Sequence, residues 1–379
     1  MKRIYLDNAA TSYPKAPGIS NVMKKFLEEG CSNPNRTNSL ESFNLFNHIY
    51  NTRCLIAKLY NLDTPESVCF SSGITESLNQ IIKGLFSVND HIIVTGSEHN
   101  SVMRPLVQMG IPFSRIPTDN QGYILKDHIQ PLIQFNTKAL IICAASNVTG
   151  AIQDIKTIAQ IANDNNLLLF IDSAQATPHV NLDMKAYNID GVAFTGHKGL
   201  LGPEGIGGLA LKKEIALKIN PLISGGTGSQ SDSEDIPSTL PDRLEAGTQN
   251  IPGILALEQS LEYVIKNKDK LEANTKAVTN LLYEGVSNIE GLTIVGAPLD
   301  RPRTSVISVI SNKKDIADIA SQLSENYAIE TRVGLHCSPS SHKSIGTFPT
   351  GTLRFSPGPF TTKEDIQITI NALKEIMNE

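Results

Sequence analysis

The chain has 379 residues, 40% of them hydrophobic and 19% charged, with a formal net charge of -5. That composition fits a globular protein long enough for two domains and a sizeable core. It excludes nucleic acid as a partner, because no basic run or aromatic–basic interleaving occurs, and it excludes a membrane span, because no apolar stretch is long enough.

In chain order, the N-terminus Met-Lys-Arg-Ile-Tyr-Leu-Asp is charged but has no apolar segment of the kind a signal peptide needs. Residues 67–70 predict a short strand and 75–85 a helix. Strands are expected at 91–95 and 139–144, then a helix near 154–165, then strands at 167–172, 191–194 and 206–211. These apolar runs are continuous rather than alternating, which implies burial on both faces. Strands of that kind alternating with helices predict an α/β fold, a mostly parallel sheet wrapped by helices. Residues 224–242, rich in Gly, Ser, Asp and Pro, read as a long loop. After Pro252 the pattern changes to helices at 253–266 and 268–286, strands at 292–295 and 304–311, and a helix at 314–325. Strands at 328–333 and 351–355 and a closing helix at 362–377 complete a smaller α+β domain. The expected division is a large domain of 15–255 and a small one of 1–14 with 256–379. The cysteines, Cys31, Cys54, Cys69, Cys143 and Cys337, are scattered and odd in number. They predict neither a disulfide framework nor a metal site, and they fit a reducing cytoplasm.

Lys198 follows a strand in Ala193-Phe-Thr-Gly-His-Lys-Gly199, and Asp172 ends another in Leu169-Phe-Ile-Asp-Ser-Ala-Gln175. A lysine can form a Schiff base with an aldehyde, and a carboxylate can hold a protonated ring nitrogen. Pyridoxal phosphate enzymes need both groups. Taken singly, Asp172 could cap a helix and Lys198 could be a solvated loop residue. Ser72-Gly73-Ile74-Thr75-Glu76 opens a helix after a strand. Helix N-termini bind phosphate, although the segment also suits a capping box. His99 follows the strand 91–95, where an imidazole could stack on a ring or move protons. Asn147 and Gln175 are amides near strand ends, and His197 adjoins the lysine. Glu245-Ala-Gly-Thr248 offers a second phosphate contact or an N-cap. Cys337, in Gly334-Leu-His-Cys-Ser-Pro339, is expected to be accessible and partly activated. Arg354 stands in a strand-like segment and would suit a substrate carboxylate or an internal ion pair.

As an ordered set these motifs resemble the class V aminotransferase group of fold-type I pyridoxal phosphate enzymes, in its cysteine desulfurase and selenocysteine lyase branch. The resemblance runs from Tyr5-Leu-Asp-Asn-Ala-Ala-Thr11 to the final helix and includes Ser146-Asn-Val-Thr-Gly150 and Glu98-His99. It implies that Lys198 anchors the cofactor and Asp172 partners its ring nitrogen. It implies that His99 stacks on the ring, and that Asn147 and Gln175 bond near the ring oxygen. Gly73, the Ile74 backbone, Thr75, Thr195 and His197 would hold the phosphate. Thr248 would reach a neighbouring subunit's site, which implies a homodimer. Cys337 would take sulfur from the substrate, Arg354 would bind the substrate carboxylate, and Asn8, Ala9 and Asn33 would line the pocket.

The activity so implied is conversion of L-cysteine to L-alanine, with a persulfide on Cys337 that passes to a sulfur-acceptor protein for iron–sulfur clusters or thio-cofactors. A selenocysteine lyase acting on L-selenocysteine would share every residue named. An aminotransferase acting on another amino acid would leave Cys337 incidental. Two features depart from the family pattern. Position 74 is Ile, and the stretch 338–349 between Cys337 and Arg354 is long.

Overall fold

The computed structural model describes residues 2–30, 40–230 and 232–378, without the side chain of Glu41. The chain opens with β1 (Ile4–Tyr5), α1 (Ile19–Glu29) and α2 (Leu40–Leu59). β2 (Val68–Ser71), α3 (Ile74–Leu85), β3 (His91–Thr95), α4 (Asn100–Met109) and β4 (Phe113–Ile116) follow. Next come β5 (Thr137–Cys143), α5 (Ile155–Asp164), β6 (Leu168–Asp172), α6 (Met184–Tyr187), β7 (Gly191–Thr195), β8 (Gly207–Leu211) and α7 (Lys213–Ala216). The long α8 (Ile251–Ser287) leads to β9 (Leu292–Val295), β10 (Ile307–Ser311), α9 (Ile316–Tyr327), β11 (Ile329–Glu330) and β12 (Arg332–Gly334). The described chain closes with α10 (Pro339–Ser344), β13 (Thr352–Phe355) and α11 (Lys363–Asn378).

Seven strands form the central sheet in the order β2-β8-β7-β6-β5-β3-β4. The pairs from β7 through β4 are parallel, and β8 runs antiparallel to both its neighbours. Each core strand splits its apolar residues between two layers. Leu140, Ile142, Leu169, Ile171 and Val192 enter one hydrophobic cluster. Ala139, Ile141, Phe170 and Ala193 enter another on the opposite face. Side chains alternate across a strand, so a sheet covered on both faces needs an unbroken apolar run. The expected mostly parallel, helix-wrapped sheet is what the chain forms.

A second, antiparallel sheet has the order β12-β13-β10-β9, and β1 pairs in parallel with β11. Ile4 and Leu6 join Val278, Leu282, Ile307, Leu353 and Leu373 in one core. The first residues of the chain are therefore packed with the last hundred.

Two expectations need correction. The helices expected at 253–266 and 268–286 are one helix, α8, of 37 residues. The polar stretch Lys266-Asn-Lys-Asp-Lys270 breaks the apolar period but contains no helix breaker. The strand expected at 328–333 is two strands in different sheets, β11 against β1 and β12 against β13. Between 224 and 241 no helix or strand occurs among the described residues, as expected.

Candidate active site

Parallel strands place their carboxyl ends on one edge, and the candidate residues gather there. β6 ends in Asp172, which is 2% exposed. β7 ends in Thr195, and the turn after it carries His197 and Lys198. That turn passes so close to the backbone of Thr177 that a Cβ at Gly199 would lie 2.2 Å from its carbonyl oxygen. Only glycine fits there. β3 leads to His99, the N-cap of α4, whose Nδ1 accepts the Ser101 N–H at 3.0 Å. With Nδ1 so used, the neutral ring carries its proton on Nε2.

The charges of this edge act on one another. Burial lowers the Lys198 pKa to about 8, Arg354 and Arg332 push the same way, and Asp172 opposes them. Burial raises the Asp172 pKa, while the Ala174 N–H, donating at 2.9 Å, and Lys198 pull it down. Burial lowers the His99 pKa to about 4, helped by Lys198, Arg332 and Arg104, so the imidazole is neutral near pH 7. The result is an amine poised to lose its proton beside a carboxylate and a neutral imidazole.

A second group of donors lies at the start of α3. Gly73, the N-cap, has φ +153° and no side chain caps the helix. Ser72 instead gives its N–H and hydroxyl to Glu76, at 2.8 and 2.5 Å. A Cβ on Gly73 would lie 4.0 Å from the Thr195 hydroxyl. Ile74 is half-buried and Thr75 exposed. His197 is half-buried, its Nδ1 is buried without a partner, and burial lowers its pKa to about 4. An uncapped helix end, a hydroxyl and an unpartnered ring nitrogen are complementary to a phosphate. Together with Lys198 and Asp172 they fit pyridoxal phosphate.

Asn8, Ala9, Gln175 and Lys198 line a cleft of about 390 Å³, which Asn147, Cys337 and Arg354 do not line. Gln175 Nε2 donates to the Ala9 carbonyl at 2.7 Å. Asn8 Nδ2 donates to Ser356 O at 3.0 Å, and the Ala9 N–H to Ser356 Oγ at 3.0 Å. Asn147, 8% exposed, donates to the carbonyl of His336. Cys337 is exposed. Arg354 is 1% exposed and bonded to Asp7 and to the Asn147 carbonyl, with its Nε buried and unpartnered. Thr248 is exposed and does not line the cleft. Its segment is held by Glu245, which pairs with the buried Arg53 at 2.5 and 2.7 Å. Asn33 lies outside the described residues.

Four residues gained no role from the sequence. Asp7 pairs with Arg354. Ser338 bonds Asn147. Arg332 faces Arg354 across β12 and β13, and its charge reaches Lys198 and His99. Glu98 is wholly buried; Oε1 accepts from Thr95 and Cys143, and Oε2 has no partner. Asp7, Glu98 and Ser338 lie within the sequence motifs that carry the resemblance, which was the one available signal.

The family model for aminotransferase class-V matches residues 4–368. A probable cysteine desulfurase of Staphylococcus aureus is 33% identical, covering 98% of this chain and 91% of that protein. One from Methanothermobacter thermautotrophicus is 30% identical over 98% of this chain and 94% of the relative. Among solved structures, the apo cysteine desulfurase of Thermococcus onnurineus has a TM-score of 0.91 at 26% identity, covering 99% and 95% of the two chains. The cysteine desulfurase CsdA of Escherichia coli gives 0.88 at 27%, covering 99% and 94%. The chain belongs to the aminotransferase class-V family.

Proposed function

We propose that this chain is a pyridoxal phosphate-dependent cysteine desulfurase that converts L-cysteine to L-alanine and leaves a persulfide on Cys337. The observation that carries the reading is Lys198, an amine of lowered pKa beside the buried Asp172, in a chain that also presents an exposed cysteine. The relatives' names support the substrate.

Lys198 would anchor the cofactor and Asp172 would hold its ring nitrogen. The α3 N-terminus (Gly73, Ile74 and Thr75), with Thr195 and His197, would hold its phosphate. Asn147 and Gln175 would serve the ring oxygen. When bound, pyridoxal phosphate supplies an aldehyde that captures amines and a ring that accepts electrons. Lys198 would take the substrate's α-proton, and its lowered pKa would let it do so near neutrality. His99, neutral with its proton on Nε2, would stack on the ring and relay protons. Arg354, with Arg332 adding positive charge, binds the substrate carboxylate. Asn8 and Ala9 line the substrate side of the cleft, and Asn33 is assigned there by the family resemblance. The Cys337 thiolate attacks the substrate sulfur, the carbon–sulfur bond breaks, and the carbon takes a proton. L-cysteine and one thiol thus become L-alanine and one persulfide.

A large unit of 15–255 and a small one of 1–14 with 256–379 is supported by the packing of Ile4 and Leu6 in the C-terminal core. A homodimer is supported by the apolar stripe of α2, where Leu40 is 76%, Phe43 62% and Phe46 51% exposed, and by the exposed Thr248. A cytoplasmic site and a sulfur-acceptor protein complete the proposal. No described helix is long and apolar enough to cross a membrane.

The test is to mix the cofactor-loaded protein with L-cysteine and a reductant and to quantify sulfide and alanine. Equal amounts of the two, both lost in Cys337→Ala, support desulfuration through Cys337. Spectral shifts with other amino acids, and no alanine from cysteine, would replace this reading with an aminotransferase.

A further inference from the structure

We propose that Asn147 is a positioning residue for Cys337, latching the segment that carries the thiol through the residues on either side of it. Asn147 Nδ2 donates to the carbonyl of His336 at 2.6 Å, and its Oδ1 accepts from the Ser338 hydroxyl at 2.8 Å. Both flanking residues are buried while Cys337 itself is exposed. The Asn147 backbone is fixed in turn, because its carbonyl accepts from Arg354 Nη1 at 3.1 Å.

The segment needs such a hold. His336 and Cys337 are consecutive non-glycine residues with φ of +47° and +59°. Each costs free energy there and persists only where the surroundings impose it. Further bonds continue the docking. The Asn100 N–H donates to the Cys337 carbonyl at 2.9 Å, Ser341 Oγ to Ser97 O at 3.2 Å, and Ser344 Oγ to Gly96 O at 3.3 Å. The long stretch 338–349 is thus in part a helix, α10, seated on the turn that carries His99.

A primary amide has two N–H donors, and the His336 carbonyl uses one. Under the proposed function, on which this part rests, the second would serve the cofactor's ring oxygen. One side chain then touches both the cofactor's seat and the nucleophile's, so loading the cofactor tightens the hold on Cys337.

The test is the rate of Cys337 alkylation by iodoacetamide, read by peptide mass spectrometry, with and without pyridoxal phosphate. Cys54 in the same digests reports general loosening. Ser338→Ala removes one latch bond and should speed alkylation about fivefold, the effect of one net hydrogen bond, with the bound cofactor's absorbance unchanged. An unchanged rate, or an equal rise at Cys54, overturns the latch. In the unaltered chain, loading should slow alkylation of Cys337. In Asn147→Ala, alkylation should be fast and independent of loading. If loading protects that variant by the same factor, simple shielding explains the effect and the coupling is wrong. A chain that obeys these rates yet yields no alanine from L-cysteine keeps the latch and loses the proposed function.

Discussion

Arg354 Nη2 donates to Asp7 Oδ1 at 2.6 Å, joining β13 to the residue that leaves β1. The guanidinium is buried, and burial lowers its pKa while Asp7 opposes that shift. Asp7→Ala would leave a buried cation without its counter-charge. Such a loss costs about 3–5 kcal/mol. Urea unfolding of the variant should fall by that order, and Asp7→Asn, which keeps an acceptor, should fall less. Equal stability of Asp7→Ala and the unaltered chain would mean that Arg354 is satisfied elsewhere.

Glu98 sets a pH dependence of its own. Burial first, then the charge of Asp172, pushes its pKa up to about 8 from an ordinary 4.5. Below the unfolded value both states are protonated and the group contributes nothing to the pH dependence. Between about 4.5 and about 8 the unfolded chain ionises while the folded one does not, so stability is lost as pH rises through that window. Glu98→Gln removes the ionisation. Its stability relative to the unaltered chain should therefore rise between pH 5 and pH 8, measured by urea unfolding at each. Parallel curves would show that Glu98 ionises normally.

Lys198 captures an aldehyde only as the neutral amine. With its pKa lowered to about 8, capture of pyridoxal phosphate by the apo chain, trapped with borohydride, should rise with pH and level off above about 8. A solvated lysine would keep climbing to about 10.4. Asp172 is the charge that raises the Lys198 pKa, so Asp172→Asn should move the midpoint to lower pH. A rate still climbing at about pH 10 would contradict the buried amine.

Much of this architecture was legible in the sequence because burial on both sheet faces leaves an unbroken apolar signature, as in Leu168–Asp172 and Gly191–Thr195. Asp172, Lys198 and His99 were legible for a related reason. Each follows such a run, and parallel topology brings those ends together. The edge strand Phe113–Ile116 was not, because its half-exposed residues mix Ser and Arg with apolar ones. The helix Asn100–Met109 hides behind Pro105. The roles of Asp7 and Ser338 were out of reach for another reason. Their partners Arg354 and Asn147 lie 347 and 191 residues away, and no local pattern encodes such pairings.

The most direct test of the central claim is peptide mass spectrometry of the cofactor-loaded protein after L-cysteine is added without reductant. The peptide carrying Cys337 should gain one sulfur atom, with alanine released in step, and Lys198→Ala should yield neither product. Alanine released with no sulfur on Cys337, or sulfur on Cys54 instead, would contradict that claim.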